Sequence, residues 1–130
     1  MNLIKFYNLI LSLEFIFAVV TFILLFFIKA PYGRHIRKGW GTEISNTWGW
    51  VIMEFPACAV ILICFLLGNK SLVLSIFFII WEIHYLQRTF IFPFLVKSKG
   101  KKMPLTIVFS SVGFNLMNGF VNGYFLFFLS

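Results

Sequence analysis

The sequence predicts an all-α integral membrane protein with about four transmembrane helices, and three observations carry that prediction. Of its 130 residues 61% are hydrophobic and only 12% charged, against about 45–50% and about 25% in a soluble domain. A domain this small cannot bury such an excess, because its surface is large for its volume. The apolar residues also fall into four runs, each long enough, at roughly 20 residues, to cross a hydrocarbon core of about 30 Å as a helix. Finally, the basic residues lie between the runs and alternate from loop to loop, as they do in multi-pass proteins.

The chain reads as one membrane domain over 1–130, with spans at approximately 7–28, 48–67, 72–96 and 105–129. Helix is the expected state of each, since backbone groups in lipid must bond within their own segment. Lys5 precedes the first run, as in a signal peptide. The run is too long for one, however, and no small-x-small cleavage site follows, so it is expected to stay as a span. Lys29, Arg34, Arg37 and Lys38 follow span one, offset by Glu43, and Lys97, Lys99, Lys101 and Lys102 follow span three. Lys70 alone separates spans two and three. The positive loops are expected in the cytosol, which puts the N-terminus, loop two and Ser130 on the far side.

The net charge of +7 therefore reads as membrane-flanking charge, and a nucleic-acid partner is not expected. Cys58 and Cys64 lie in one apolar run, six residues apart, so they point to different faces and cannot bridge. They read as membrane-facing packing thiols. With two histidines in the chain, a His-rich metal site is not expected. Nucleotide-binding glycine loops, a Gly-x-Ser-x-Gly elbow and His-Glu-x-x-His are all absent from the sequence.

Three of the four acidic residues, Glu14, Glu54 and Glu82, fall inside spans. A charge at the bilayer centre costs roughly 2.5–3.5 kcal/mol even on lenient scales, so such a residue faces a cavity or a partner. Glu54 lies in Trp50-Val-Ile-Met-Glu-Phe-Pro56, where Trp50, Met53 and Glu54 share a face. Pro56 is expected to kink that span and free a carbonyl. An aromatic wall, a carboxyl and a broken helix read as a pocket. A structural pairing of Glu54 with Arg88 across the bundle reads equally well. Span three carries Trp81-Glu-Ile-His-Tyr-Leu-Gln-Arg-Thr89, the densest polar cluster. His84 and Arg88 share a face there, and Glu82 is expected on the side of Tyr85. Alternatively this is the membrane exit, with Arg88 snorkelling and Trp81 in an interfacial belt. In span four Asn115, Asn118 and Asn122 line one face, and Gly119 and Gly123 form a close-packing G-x-x-x-G pair. The asparagines read as interhelical glue or cofactor contacts, with glue favoured for Asn122 and Asn118 left open. Glu14 has only Ser12 and Thr21 as polar company and receives no role.

Taken in order, Ala30-Pro-Tyr-Gly-Arg-His35, Trp50-x-x-x-Glu54-x-Pro56, His84-Tyr-x-x-Arg-Thr-Phe90 with Pro93, Met103-Pro104 and Asn118-Gly119-x-x-x-Gly123-Tyr124 resemble the steroid 5α-reductase family, the 3-oxo-5α-steroid 4-dehydrogenases. The resemblance covers most of the chain from Ala30 onward. It implies a bundle of about seven helices in the endoplasmic reticulum membrane, with the far side its lumen. It also implies an oxidoreductase that reduces the enone double bond of a 3-oxo-Δ4 steroid or similar lipid with NADPH. On that resemblance Glu54 and Tyr85 grip the substrate ketone, Trp50, Met53 and Phe114 line its pocket, and Arg88 and Asn118 lie towards the cofactor. Apolar burial would keep the Glu54 carboxyl protonated, so that it donates to the ketone oxygen, as neutral acids do in other steroid sites. Tyr85 would donate a second hydrogen bond, and donors placed there stabilise the oxyanion of the transition state.

The sequence departs from the family at two points. Met53 stands where many relatives carry Gln. The chain also ends at Ser130, before the half that holds further spans and most cofactor contacts. On this reading it does not turn over substrate alone and needs that half or a partner chain. A related lipid reductase acting on a polyprenol or an enoyl thioester, and a non-catalytic truncated membrane protein, are the competing readings. A small transporter would call for inverted repeats, which the sequence does not show.

Overall fold

The computed structural model describes residues 2–31, 35–97 and 100–130. Arg34 and Lys99, and positions 32–34 of the first family motif, lie outside the described residues. Helix α1 spans Leu3–Phe27, strand β1 Glu43–Ser45, helix α2 Asn46–Leu67 and helix α3 Leu72–Leu86. A π-helical turn over Gln87–Ile91 carries α3 directly into the short helix α4, Phe92–Leu95. Strand β2, Lys102–Pro104, leads into α5, Leu105–Tyr124, which ends in a second π turn, Phe125–Leu129.

Local chemistry sets the helix starts. Asn2, Ser45 and Ser71 each accept a hydrogen bond from a backbone N–H in the first turn of α1, α2 and α3, at 3.3, 3.3 and 3.2 Å. These side chains satisfy donors that a helix leaves orphaned at its N-terminus. Three helical stretches, Leu3–Phe27, Asn46–Leu67 and Leu105–Leu129, are long and apolar enough to cross a membrane. Helix α3 alone has only 15 residues. Its continuation through the π turn to Leu95 brings the helical run to the roughly 30 Å of a hydrocarbon core, at about 1.5 Å per residue.

The π turn has a local cause. Pro93 has no N–H to offer the carbonyl of Thr89, and the ladder widens so that Phe92 N–H bonds to Gln87 C=O. Pro56 sits inside α2, which runs on unbroken as one helix.

The four helical runs alternate in direction. Strands β1 and β2 pair antiparallel, with Glu43 opposite Pro104 and Ser45 opposite Lys102, so loops one and three meet at one end. At the other end Asn69 N–H bonds to Phe127 C=O at 2.7 Å, and Tyr7 packs on Tyr124 with ring centroids 5.6 Å apart.

Helices α2 and α5 form the tightest contact. A Cβ placed on Gly119 would lie 3.0 Å from Val60 Cβ, and one on Gly123 would lie 2.8 Å from Cys64 Sγ. The two glycines thus let the backbones approach, as the G-x-x-x-G spacing predicts. One core cluster gathers Met53, Met103 and Val108 at the loop-one end, and another gathers Ile61, Cys64 and Phe127 at the opposite end.

Three expectations are corrected. The cysteines do point to different faces, but neither faces lipid. Cys58 is buried 3.6 Å from Thr89 Oγ1 and Cys64 is buried against Gly123, because α3 and α5 cover those faces of α2. Trp81 is not in an interfacial belt: its Nε1 donates to Ala57 C=O at 3.0 Å and its ring packs against the second core cluster. Glu82 does not share the cavity face of Tyr85. Its Oε1 is buried without a hydrogen-bond partner among the described residues, and Glu82 lies outside the cavity wall.

Candidate functional site

A cavity of about 650 Å³ opens between α1, α2, α3 and α5 at the end where loops one and three meet. That volume lies in the range of ligand pockets, roughly 300–1,000 Å³. Helix α1 supplies Phe17, Thr21, Phe22 and Leu25, and α5 supplies Ile107, Ser110, Ser111, Phe114 and Asn115. Trp50, Met53 and Glu54 come from α2, and His84, Tyr85 and Arg88 come from α3 and its π turn.

The spacing of three and four on α2 brings Trp50, Met53 and Glu54 onto this one wall, as the sequence predicts. On the opposite wall the π turn adds a residue to the helical circuit. Arg88 lines the cavity while Thr89, the next residue, points to α2 and is fully buried. Such a widened turn often marks a functional site.

Arg88 Nη2 lies 2.6 Å from Glu54 Oε1. Its guanidinium also stacks over Trp50, with Cζ 5.2 Å from the ring centroid, and the Trp50 ring meets Phe92 edge-on at 5.1 Å. The Glu54 carboxyl is thus held in a charge-assisted bond, the cross-bundle pairing that was the second reading of the sequence. In that pair it accepts a hydrogen bond, whereas burial alone suggested a protonated donor. Asn115 Nδ2 donates to Met53 C=O at 2.6 Å, tying α5 to α2 beside this pair.

Tyr85 lines the cavity with its ring against Trp81 and His84, at 4.8 and 5.0 Å. Its Oη lies 3.3 Å from Asn118 Nδ2. Asn118 does not line the cavity but stands behind Tyr85, with its own side chain bonded to Asn122. Phe114, also predicted as a lining residue, stacks on Phe17 at 5.9 Å and closes the α1 side.

Sequence reasoning missed Thr21, Ser110 and Ser111 in the wall. Ser110 returns its hydroxyl proton to Thr106 C=O at 2.8 Å. The only signal was a pair of adjacent hydroxyls in an apolar run. Phe92 was missed too, because its place against Trp50 depends on the π turn. Among the described residues no cluster of His, Cys, Asp or Glu could hold a metal ion.

The cavity is thus largely apolar, with the Tyr85 phenol and Arg88 on one wall and Glu54 reaching Arg88 from the other. No protein-family model matches the chain. It is 41% identical over 111 residues to the steroid 5α-reductase DET2 of Arabidopsis thaliana, an alignment covering 78% of this chain and 41% of that protein. The Gossypium hirsutum steroid 5α-reductase DET2 is 34% identical over 112 residues, 82% of this chain and 43% of the relative. The 3-oxo-5α-steroid 4-dehydrogenase 1 of Bos taurus is 31% identical over 120 residues, 88% and 46%. The chain thus spans less than half the length of each of these relatives.

Proposed function

The chain belongs to the steroid 5α-reductase family, and from that premise we propose that it forms the substrate-gripping part of a reductase acting on a 3-oxo-Δ4 steroid or similar lipid enone. The observation that carries this reading is the placement of the Tyr85 hydroxyl and the Glu54–Arg88 pair in the wall of an otherwise largely apolar cavity.

The apolar walls take the rings of the lipid, and the polar groups fix the position of its oxygen. When the far carbon of an enone is reduced, negative charge develops on the carbonyl oxygen. A Tyr85 O–H aimed at that oxygen strengthens its bond as the charge grows. Glu54 shares the task in this reading: its carboxyl holds Arg88 in the cavity wall beside the phenol. Trp50, Met53 and Phe114 shape the pocket. Met53, an apolar residue, contributes packing and no hydrogen bond.

NADPH is the hydride donor that the family resemblance implies, with Arg88 and Asn118 on its side. The described residues of the cavity lining do not fit the phosphates of that dinucleotide. Arg88 is the one permanent cation among the described lining residues, and Glu54 already matches its charge. The Asn118 amide is engaged by Tyr85 and Asn122. The role assigned to this chain is therefore to bind and polarise the carbonyl end of the substrate.

The pairing of loops one and three at one end, together with the lysines and arginines of those loops, supports a cytosolic placement of that end in the endoplasmic reticulum membrane. The test is ligand binding to the chain in lipid nanodiscs, followed by quenching of tryptophan fluorescence. A 3-oxo-Δ4 steroid is expected to bind more tightly than the same steroid lacking the 3-oxygen, and Tyr85→Phe is expected to abolish the difference. Equal binding of the two steroids by the unmodified chain would overturn the reading.

A further inference from the structure

Asn122 lies outside the cavity, and the function proposed above gives it no part. Its Nδ2 is 2.8 Å from the main-chain oxygen of Asn118 and 2.9 Å from Asn118 Oδ1. A main-chain carbonyl can only accept a hydrogen bond, so Asn122 must turn its NH₂ towards it. The same NH₂ meets the side chain of Asn118, which must then present its oxygen. An amide with its oxygen on one side has its NH₂ on the other. The NH₂ of Asn118 therefore faces Tyr85 Oη at 3.3 Å, and Tyr85 accepts that bond. The phenol keeps its own proton for another partner, and its ring stands in the cavity wall.

We propose that Asn122, acting through Asn118, is a positioning residue that fixes the polarity of the Tyr85 hydroxyl so that it donates into the cavity. A carbonyl of the α5 backbone sets the direction of the whole relay, and that carbonyl cannot reverse its role. Without the Asn122 NH₂, no hydrogen-bonding partner among the described residues distinguishes the two faces of the Asn118 amide from behind. Asn118 can then turn over and offer Oδ1 to the Tyr85 proton, which leaves a carbonyl ligand in the cavity without its donor. The relay stands on the geometry of this chain alone. Only what the proton meets rests on the ketone reading above.

Two variants remove the NH₂. Asn122→Leu deletes every hydrogen-bonding group. Asn122→Ser is the milder change, because a serine on a helix here gives its single proton to the carbonyl four residues back, as Ser12 and Ser110 do at 2.8 Å. That leaves Asn118 Oδ1 without a donor. The first readout needs no ligand: the Raman ring doublet of Tyr85, isolated as the difference between each protein and its Tyr85→Phe counterpart in nanodiscs. It separates a phenol oxygen that accepts from one that donates. The second readout is the affinity ratio between a 3-oxo-Δ4 steroid and the same steroid lacking the 3-oxygen.

The expected result is an accepting phenol in the unmodified chain, a shift towards a donating phenol in both Asn122 variants, and a fall of roughly tenfold in the affinity ratio, the loss of about one good hydrogen bond. An unchanged doublet in Asn122→Ser overturns the inference, and so does a shifted doublet with an undiminished 3-oxo preference. A shifted doublet in a protein whose unmodified form shows no 3-oxo preference upholds the relay and sinks the ketone reading instead.

Discussion

Arg88 Nη2 donates to Glu54 Oε1 across 2.6 Å, joining the π turn after α3 to the middle of α2. The two partners are unequally placed: the Glu54 side chain is 8% exposed and that of Arg88 34%. Removing one member of a buried pair strands the other charge, which costs about 3–5 kcal/mol, whereas replacing both by apolar groups is often nearly neutral. Arg88→Leu is therefore expected to lose about 3 kcal/mol, near the low end because Arg88 is one-third open. Glu54→Leu with Arg88→Leu should recover most of that loss. A double-mutant cycle on unfolding by sodium dodecyl sulfate in mixed micelles measures the coupling. A double variant no more stable than the single would show that the pair does not hold these helices together.

The glycines of α5 should respond to substitution in opposite ways. A Cβ at Gly123 would meet Cys64 Cβ and Sγ at 2.8 Å, so Gly123→Ala has to push α2 and α5 apart. Overpacking of that kind costs about 1–3 kcal/mol. A Cβ at Gly113 would meet nothing within 4 Å, so Gly113→Ala gains helix propensity of up to about 1 kcal/mol at no steric cost. The same unfolding assay should move in opposite directions for the two variants, and equal shifts would refute the close approach at Gly123.

Both cysteines are buried inside the bundle. Neither thiol is expected to react with a maleimide in the folded chain, and both should react once detergent unfolds it. Fast labelling of Cys64 in nanodiscs would contradict its packing on Gly123.

Hydropathy made the fold class legible, because a chain this apolar has no soluble alternative. The face shared by Trp50, Met53 and Glu54 was legible as well, since helical spacing alone brings residues three and four apart together. Span three was less legible. Helical spacing placed Glu82 with Tyr85, but the neighbour that decides which side of α3 is buried is α2, and the sequence does not say which helix packs where. The widened turn at Gln87–Ile91 changes which residues face inward after Tyr85. Pro93 was visible in the sequence, yet a proline after a helix can end it, kink it or widen it. Glu54 shows the same limit from the other side. An apolar run suggested a carboxyl free to donate, while its partner in the structure is an arginine 34 residues away.

Strands β1 and β2 allow a test of how many times the chain crosses the membrane. Asn46 N–H bonds to Lys101 C=O and Leu105 N–H to Thr42 C=O, at 3.0 and 2.9 Å. In an antiparallel pair the hydrogen-bonded positions alternate with non-bonded ones. Ile44 and Met103 are then a bonded pair, and Ser45 and Lys102 a non-bonded pair, where the Cα atoms approach to about 4.5 Å. That separation lies within the reach of a disulfide, whose Cα atoms are usually about 4.4–6.8 Å apart. A Ser45→Cys, Lys102→Cys chain should therefore cross-link in intact membranes on mild oxidation, at a cost of about 1 kcal/mol for the lost cap of α2. A cysteine at Asn69, which sits beside Phe127 at the other end, should not cross-link to one at Lys102. Because α2 is long and apolar enough to cross the bilayer, the two loops can meet only if the helical run from Leu72 to Leu95 crosses it as well. If that run instead lay along the surface, loop three would remain with loop two, the Ser45–Lys102 link would fail, and Tyr85 and Arg88 would be carried out of the cavity.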